Sequence, residues 1–317
     1  MNLSEKIVSG ISDRPSIDVI IVNWNSGGLL KNCIQSIPAA LDGSFVLNRV
    51  IIVDNDSSDN SLNFEFDRNL PLSFIKNRQN SGFARACNQG ASGSEADFLL
   101  FLNPDTVLYN DSLSNPSGFL ACNPEVGIAG IQLVNEEGEV ARNCARFPTP
   151  FRMIYQSFGL DKIFPRIFPG HFMNEWDHLS DRQVDQVMGS FFMIRRDLFA
   201  VLKGYDESFF VYFEDLDLAL RAKKLGYSSY YLSGTRIFHR GGGTTESIKA
   251  MRLALIIHSK LIYCKKHFNK ISYFLIFCVT MIIEPVTRLV DSVLKGQPRE
   301  MKEVLKGYKL LFRRLSA

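Results

Sequence analysis

The sequence lacks the features that mark secreted, zinc-stapled or membrane-spanning chains. Its six cysteines lie far apart without a C-x-x-C pair, which argues against a zinc cage and against a secreted disulfide framework. The first sixteen residues are polar and contain no signal-peptide apolar run. The longest uncharged apolar stretch, residues 271–283, would reach only about 20 Å as a helix, against a hydrocarbon core of about 30 Å. We therefore expect a reduced, cytoplasmic chain that does not span a membrane.

The composition is that of an ordinary globular protein, with 46% hydrophobic and 22% charged residues among 317. Disorder, collagen and coiled coil are excluded on this ground. The net charge of +3 is unevenly distributed, because residues 250–317 contain thirteen Lys and Arg against four Asp and Glu. An acidic body thus precedes a basic C-terminal tail.

Short β-branched runs alternate with segments that are long enough for helices. The runs that predict buried parallel strands are 18–23, 49–54, 72–76 and 96–102. The intervals that predict helices lie near 27–41, 59–68 and 83–93. Further along, strands are predicted at 126–131, 183–194 and 228–232, a helix at 213–226 and helices from 246 onward, with an acceptor-side insertion or loop at 147–178. This alternation predicts an open, doubly wound α/β sheet.

Polar residues follow each of the first four predicted strands. In such sheets, ligands bind beyond the carboxyl ends of the strands, so these segments are the candidates for chemistry. They cover residues 23–26, 54–59, 77–83 and 103–106. Each segment, taken alone, is equally typical of turns and helix caps.

Seven motifs in a fixed order resemble those of glycosyltransferase family 2, the inverting nucleotide-sugar transferases. They are VNWN (22–25), VDNDSSDNS (53–61), NSGFARACNQG (80–90), FLNPDT (101–106), GSFFMIRR (189–196), GYDESFFVYFEDLDLALRAKKLGY (204–227) and HRGGGTT (239–245). Within the family they are most similar to bacterial rhamnosyltransferases of surface-polysaccharide assembly. The resemblance implies a GT-A fold, with a Rossmann-like, mostly parallel sheet flanked by helices. We expect a flexible N-terminus (1–16), a GT-A catalytic domain (17–248) and a basic amphipathic helical tail (249–317).

The resemblance also implies roles for the acidic residues and one histidine. Asp215 matches the catalytic base, with Glu214 beside it, and Asp105 and His239 match ligands of a divalent metal, Mg²⁺ or Mn²⁺. Such a metal would stabilise the negative charge that develops on the leaving diphosphate. Asn103 departs from the family, whose triplet begins with Asp, so only one carboxylate remains there.

Further residues are expected at the nucleotide sugar and the acceptor. The resemblance implies that Asp54 lies at the nucleotide base, where its carboxylate can accept from the N3–H of uracil or thymine, which favours dTDP or UDP donors. The nucleotide-sugar set implied by the resemblance is Asn23, Asn25, Asp54, Asn55, Asn80, Gly82, Phe83, Arg85, Asn88, Asn103 and Asp105. The acceptor or sugar floor would contain Gly189 and Ser190, and two indoles, Trp24 and Trp176, are candidate sugar platforms or ordinary packing aromatics.

We therefore expect an inverting, metal-dependent transferase. It would move L-rhamnose from dTDP-L-rhamnose onto a lipid-linked saccharide in cell-surface polysaccharide synthesis, O-antigen included. A UDP-hexose (galactosyl or glucosyl) transferase is the close alternative. From another class, Asn103 keeps open a non-catalytic nucleotide-binding module of an assembly complex. A dinucleotide-dependent oxidoreductase is disfavoured, because no G-x-G-x-x-G follows the first strand.

The basic tail indicates where the acceptor lies. Lysines and arginines flank apolar segments there, which suits an in-plane helix attracted to anionic lipid on the inner face of the cell membrane. Alternatively, the tail is a helical pair that packs on the catalytic domain or on another subunit. We expect a peripheral membrane location and no nucleic-acid partner, and the oligomeric state stays open, a homo-oligomer included.

Overall fold

The structure is a computed structural model that describes residues 14–241 and 248–316. The predicted flexible N-terminus lies outside the described residues up to position 13, and the HRGGGTT motif (239–245) lies outside them from position 242. The chain divides into two compact units. The sheet unit comprises Met1–Ala145, Glu175–Glu207 and Glu214–Thr244, and the helical unit comprises Arg146–Asn174, Ser208–Phe213 and Thr245–Ala317. The division into domains at residue 248 stays a prediction.

Twelve strands lie in the described part of the sheet unit. In chain order they are β1 (Ser16–Asn23), β2 (Val46–Asp54), β3 (Leu72–Lys76), β4 (Phe98–Leu102), β5 (Thr106–Leu108), β6 (Val126–Val134), β7 (Val140–Ala141), β8 (Cys144–Ala145), β9 (Arg182–Val184), β10 (Gln186–Val187), β11 (Phe191–Arg195) and β12 (Ser228–His239). The main sheet has the order β3-β2-β1-β4-β11-β6-β12-β5, with β7 beside β6 and β9 beside β12, and β8 pairs separately with β10.

Strands β1 to β4 run parallel to one another, as their β-branched sequences predicted. Strand β11 is antiparallel to β4 and β6, whereas β12 is parallel to β6 and antiparallel to β5. The expected α/β class, with a mostly parallel central sheet, is therefore confirmed.

Ten α-helices are described. They are α1 (Leu29–Ser36), α2 (Phe83–Ala91), α3 (Ser114–Cys122), α4 (Pro150–Ser157), α5 (Leu160–Ile163), α6 (Arg196–Val201), α7 (Glu214–Lys224), α8 (Lys249–His267), α9 (Lys270–Leu294) and α10 (Pro298–Leu315). Helix α2 packs closely on the sheet, since a Cβ added at Gly90 would come within 2.5 Å of Ile20 Cγ2. This close packing sets the first turn of α2 at the edge of the sheet where β1 and β2 end.

Two sequence-based elements were wrong. The segment 59–68 contains no helix, because the Asp59 carboxylate accepts from the backbone N–H and hydroxyl of Ser61 and from the N–H of Gly27, which fixes a turn. Phe64 and Phe66 then pack against the core from an extended segment. The long strand expected at 183–194 is three strands, β9, β10 and β11. It is interrupted where Met188 N–H donates to Asn143 O, at 2.8 Å.

The helical unit has its own apolar core, formed by Ala254, Ile257, Leu261, Val304, Tyr308 and Leu311. Its helices α8 to α10 confirm the helical prediction for the C-terminal region. Helix α9 has 25 residues, and an 18-residue window within it has a mean hydropathy of 1.7, so among the described residues one helix is long and apolar enough to cross a membrane by length and composition. The estimate of about 20 Å was wrong as a helix length, because the helix continues past Ile283 to Leu294.

Candidate functional site

One edge of the main sheet collects the predicted site residues of the sheet unit. The carboxyl ends of the parallel strands β1 to β4 lie there. Strand β11 is antiparallel to β4 with Phe191 opposite Leu102, so its first residues begin at the same edge. Strand β12 is parallel to β6, which is antiparallel to β11, so the carboxyl end of β12 lies at this edge too, where His239 pairs with Thr106 in β5. Residues from six separate strands thus converge for a simple topological reason.

Asn23 is a buried brace at the end of β1. Its Nδ2 donates to Asp54 Oδ1 at 2.7 Å, to Ser57 Oγ at 3.0 Å and to Ser61 Oγ at 2.8 Å, and its Oδ1 accepts from Ser26 Oγ. The side chain is fully buried. Asn23 therefore orients the Asp54 carboxylate rather than pointing into open space.

Asn25 ties the same two loops together from outside. Its Oδ1 accepts from the N–H of Ser58 at 2.7 Å, and its own N–H donates to Ser57 Oγ at 3.0 Å. The residue has a φ of 50°, a left-handed conformation that asparagine adopts more readily than most side chains. The serines of segment 57–61, which the sequence did not single out, are thus structural partners of the predicted nucleotide site.

Asn55 is the brace of the second loop pair. Its Nδ2 donates to Asn80 Oδ1 at 2.9 Å and to Gly82 O at 3.2 Å, while its Oδ1 accepts from Ser81 N–H at 3.0 Å and from Asn77 Nδ2 at 3.1 Å. Gly82 caps α2 with a φ of 89°, a conformation that side chains rarely adopt. The network fixes the loop that leads into α2.

The first turns of α2 carry three predicted donor-site residues. Asn88 donates to Tyr205 O at 2.9 Å and to Glu207 Oε1 at 3.0 Å, so its amide holds the 205–207 segment. Arg85 is exposed and lies 3.7 Å from Glu207 Oε2, and the Phe83 ring lies 6.4 Å from that of Tyr205. Glu207, absent from the sequence-based set, links Arg85 to Asn88 although it stands within the GYDESF motif.

Asp105 and His239 meet across the β5–β12 pair. Asp105 Oδ1 lies 3.4 Å from His239 Nε2, and the N–H of Arg240 donates to Asp105 O at 3.1 Å. Both side chains are at least partly buried. The structure therefore brings together the two predicted metal ligands, which lie more than 130 positions apart in sequence.

Asn103, Gly189 and Ser190 connect this pair to α7. The N–H of Asn103 donates to Ser190 O at 3.1 Å, and its amide Nδ2 lies 3.5 Å from Ser190 Oγ. Gly189 N–H donates to Asp215 Oδ2 at 3.0 Å, and a Cβ added at Gly189 would lie 3.6 Å from that oxygen. Asn103, in place of the family's aspartate, thus joins β4 to the turn that precedes β11.

Asp215 and Glu214 begin α7, whose acidic first turn and basic last turn suit the helix dipole. Asp215 Oδ1 accepts from Leu216 N–H at 2.8 Å, and both carboxylates are less than a tenth exposed. Burial raises the pKa of Asp215 above its ordinary value, against the opposing effect of the N–H donors. Burial and the neighbouring Asp215 charge raise the pKa of Glu214 well above its ordinary value.

The two tryptophans do not join these hydrogen-bonded groups. The Trp176 ring stacks on His178 at 4.1 Å between centroids and lies against Tyr231 and Arg182. Trp176 Nε1 donates to Ser180 Oγ at 3.2 Å. Trp24 is partly buried in the loop after β1. The surroundings of Trp176 are those of a packed aromatic side chain.

The side chains of Asp105 and His239 are of the kinds that bind a divalent metal ion. Within residues 14–241 and 248–316, no group of three or more His, Cys, Asp and Glu side chains could hold an ion. Two protein ligands suffice where substrate phosphates and water complete the shell, which is how Mg²⁺ is commonly held. The carboxylate oxygen and imidazole nitrogen 3.4 Å apart fit such a shared site for Mg²⁺ or Mn²⁺.

The chain is similar to known proteins in sequence. Residues 18–202 match the model of the family described as Glycosyl transferase family 2. N-acetylglucosaminyl-diphospho-decaprenol L-rhamnosyltransferase of Mycobacterium tuberculosis is 24% identical over 263 residues, which cover 78% of this chain and 82% of the relative. Rhamnosyltransferase WbbL of Escherichia coli is 25% identical over 189 residues, which cover 56% of this chain and 68% of the relative.

A solved structure shows the same fold at low sequence identity. The mannosyltransferase PcManGT from Pyrobaculum calidifontis, in complex with GDP-Man and Mn²⁺, is 14% identical, with a TM-score of 0.55. The alignment covers 98% of this chain and 86% of that one. The expected GT-A architecture is therefore confirmed, while the individual site residues stay predictions.

Proposed function

This chain belongs to glycosyltransferase family 2, and from that premise we propose that it is an inverting, metal-dependent transferase of L-rhamnose from dTDP-L-rhamnose. The acceptor is a lipid-linked saccharide in cell-surface polysaccharide synthesis. The donor and acceptor classes are supported by the two rhamnosyltransferase relatives, one of which is named for a diphospho-decaprenol substrate. The observation that carries the proposal is the convergence of Asp54, Asp105, His239 and Asp215 on one sheet edge.

Asp54 selects the base of the donor in this proposal. Its carboxylate is held by Asn23 at 2.7 Å, which leaves further lone pairs to accept from the N3–H of thymine or uracil. Cytosine lacks that N–H, so dTDP and UDP donors are favoured over CDP donors. Asn55, Asn80 and Gly82 support this pocket from behind through their mutual hydrogen bonds.

Asp105 and His239 would hold the divalent metal beside the diphosphate. When bound, this ion neutralises negative charge that develops on the leaving nucleoside diphosphate. Arg85, exposed at the first turn of α2, would pair with the same phosphates. Ser190 and Gly189 form the floor on which the sugar rests, and the hydrogen bond from Gly189 ties that floor to the base.

Asp215 acts as the general base. The acceptor hydroxyl transfers its proton to the Asp215 carboxylate while its oxygen forms a bond to the anomeric carbon. The bond from that carbon to the diphosphate oxygen breaks on the opposite face, so the configuration inverts. Burial raises the pKa of Asp215, which makes the ionised carboxylate a stronger base. Glu214 adds negative charge beside it when ionised.

The enzyme works at the cytoplasmic face of the membrane as a peripheral protein. This part of the proposal is supported by the lipid-linked substrate of the mycobacterial relative and by the basic, apolar C-terminal region. Lipid-linked acceptors present their sugars at the bilayer surface, so an enzyme bound to that surface meets its acceptor there.

A transfer assay tests the proposal. The purified chain is incubated with Mn²⁺, a diphospholipid-linked N-acetylglucosamine acceptor and either dTDP-rhamnose, UDP-galactose or UDP-glucose, and the product is resolved by chromatography and its anomeric configuration is read by NMR. We expect rhamnosyl product with dTDP-rhamnose. Product with a UDP-hexose alone would show that the donor is a UDP-hexose and not dTDP-rhamnose. Nucleotide binding without any transfer would favour the alternative function that Asn103 suggests, a non-catalytic nucleotide-binding module.

A further inference from the structure

Helix α9 exposes an apolar stripe along its whole length. The exposed residues fall on one helix face, at spacings of one, three, four and seven positions: Ile271, Phe274, Leu275, Ile282, Val286, Val290, Val293 and Leu294. Several of these side chains are more than half exposed, and Leu294 reaches 81%. A row of eight exposed apolar residues along one helix is unusual on a monomeric soluble protein and marks an interaction site.

The segment that follows β8 adds a second apolar surface to the same unit. Its exposed residues are Phe151, Phe158, Ile163, Phe164, Ile167 and Phe172. Within the helical unit this segment is fixed to α9, because Thr287 Oγ1 donates to Ser157 O at 2.9 Å and Lys162 Nζ lies 3.2 Å from Asp291 Oδ2. These contacts join the segment to the part of α9 around Thr287 and Asp291.

The unit that carries these residues is strongly basic. Its described residues contain 18 Lys and Arg against five Asp and Glu, a net charge of +13. Four of these five acids form salt bridges within the unit: Glu284 with Lys260 and Arg288, Asp291 with Lys295, Glu300 with Lys249 and Glu303 with Lys306. The excess positive charge is therefore available to an anionic surface.

The opposite side of α9 packs against other helices of the same unit. Ile276 and Thr280 are buried, and Tyr308 of α10 donates its hydroxyl to Thr280 O at 3.1 Å. Glu284, also buried, is neutralised by Lys260 of α8. A helix that packs along one side on charged, amphipathic helices cannot be surrounded by lipid, so its apolar stripe suits immersion in the interface plane.

We propose that the exposed apolar residues of α9 and of the 151–172 segment form one docking face, which inserts into the interface of an anionic lipid bilayer with α9 parallel to the membrane. The membrane contact thus uses two segments that lie about a hundred residues apart in sequence, not the C-terminal tail alone. A second copy of the chain is a poor occupant, because a symmetric contact would juxtapose two units of charge +13. The inference sharpens the peripheral location proposed above.

Vesicle flotation of the full-length chain tests the docking face. Vesicles contain phosphatidylcholine alone or mixed with phosphatidylglycerol, and neither donor nor acceptor is present, so failure here is distinguishable from failure of the transferase assignment. The test variant carries Ile163→Glu and Ile167→Glu, at positions 63% and 71% exposed, where folding does not depend on the side chain. The matched control is Leu179→Glu, a position of the sheet unit that is also 63% exposed.

We expect the wild type to float with the anionic vesicles and the double variant to partition at least about tenfold more weakly, since two inserted side chains are lost. The control should bind like the wild type. Equal binding by the double variant, or equal weakening by the control, would overturn the contribution of the 151–172 segment. Sedimentation gives a further check, because a wild-type dimer that the double variant converts to a monomer would assign the face to a second copy.

The depth of α9 separates the in-plane arrangement from a spanning one. Cys278 lies within the apolar stripe and is partly exposed, and after Cys122→Ser the remaining cysteines are buried. A bimane label on Cys278 is then quenched by nitroxides placed at different depths in the lipid. Strongest quenching by shallow nitroxides supports the in-plane arrangement. Strongest quenching by nitroxides at the bilayer centre would show that α9 spans, and would overturn the proposal.

Discussion

Replacement of Asp215 by Asn tests the base while it changes the fold little. The carboxylate accepts two N–H donors, from Gly189 and Leu216, on different oxygens. An asparagine retains one acceptor oxygen and presents an NH₂ group to the other donor. We therefore expect one hydrogen bond to be lost, at a cost of about 1–3 kcal/mol in the free energy of unfolding. Relief of the buried charge offsets part of this cost.

The loss of activity in Asp215→Asn should be far larger than its small loss of stability can explain. A general base contributes about 10²- to 10⁴-fold, which corresponds to about 3–5 kcal/mol of activation free energy. Because burial raises the pKa of Asp215, wild-type kcat should rise with pH through that pKa, as the carboxylate ionises. In the variant this limb of the pH profile should disappear, while donor binding stays within a few-fold.

The assay is steady-state transfer from dTDP-rhamnose, with urea unfolding measured in parallel. The control is Asp97→Asn, at the opposite edge of the same sheet, where one carboxylate oxygen, Oδ2, accepts both the N–H and the hydroxyl of Ser16. An asparagine oxygen in that place keeps both hydrogen bonds, so the control should lose no more stability than Asp215→Asn and should keep its turnover. Turnover of Asp215→Asn within a few-fold of wild type, or an unchanged pH limb, would refute the assignment of the base.

Three further predictions concern the rest of the site. Asp105→Asn or His239→Gln should remove the Mn²⁺-dependent part of the nucleotide-induced rise in Tm and spare the metal-free part; Mn²⁺ titrations like those of the wild type would reject the shared site. Asn23→Ala leaves Asp54 without its brace and should lower the free energy of unfolding by about 1–3 kcal/mol in urea titrations and weaken dTDP binding; intact binding would separate Asn23 from the pocket. Glu214→Gln should raise Tm at neutral pH. The pKa of Glu214 is higher in the folded state than in the unfolded state, so the wild type loses stability as pH rises from the unfolded-state pKa to the folded-state pKa. A glutamine does not ionise and avoids this loss. That gain should shrink as pH falls through this window, and a gain independent of pH would contradict the cause.

The sheet could be predicted because its central strands are continuous β-branched runs buried on both faces, and such runs admit few other structures. The same reasoning failed at 183–194, where the apolar pattern continues across the turn at Gly189. The break is imposed by a distant partner, since Gly189 donates to Asp215 of α7. The helix expected at 59–68 failed for a local reason, the competing hydrogen bonds of Asp59.

The clustering of the candidate site residues could be predicted better than the contacts that each side chain makes. Strand ends of a parallel sheet must share an edge, so the clustering of polar segments follows from topology. Sequence does not reveal whether an amide faces a ligand or a neighbouring loop. Three of the amides donate hydrogen bonds within the protein: Asn23 to Asp54, Asn55 to the 80–82 loop and Asn88 to the 205–207 segment. Likewise, no local pattern indicated that residues 146–174 belong with the C-terminal helices.

The central claim is that this sheet edge binds a thymidine or uridine diphosphate with a divalent metal. A thermal-shift panel of dTDP, UDP, GDP, CDP and NAD, each with and without Mn²⁺, tests it without any acceptor, because a ligand that binds the folded state raises Tm. We expect a Mn²⁺-dependent rise in Tm with dTDP or UDP and little change with CDP, GDP or NAD. A rise with NAD or CDP alone, or no rise with any nucleotide, would contradict it.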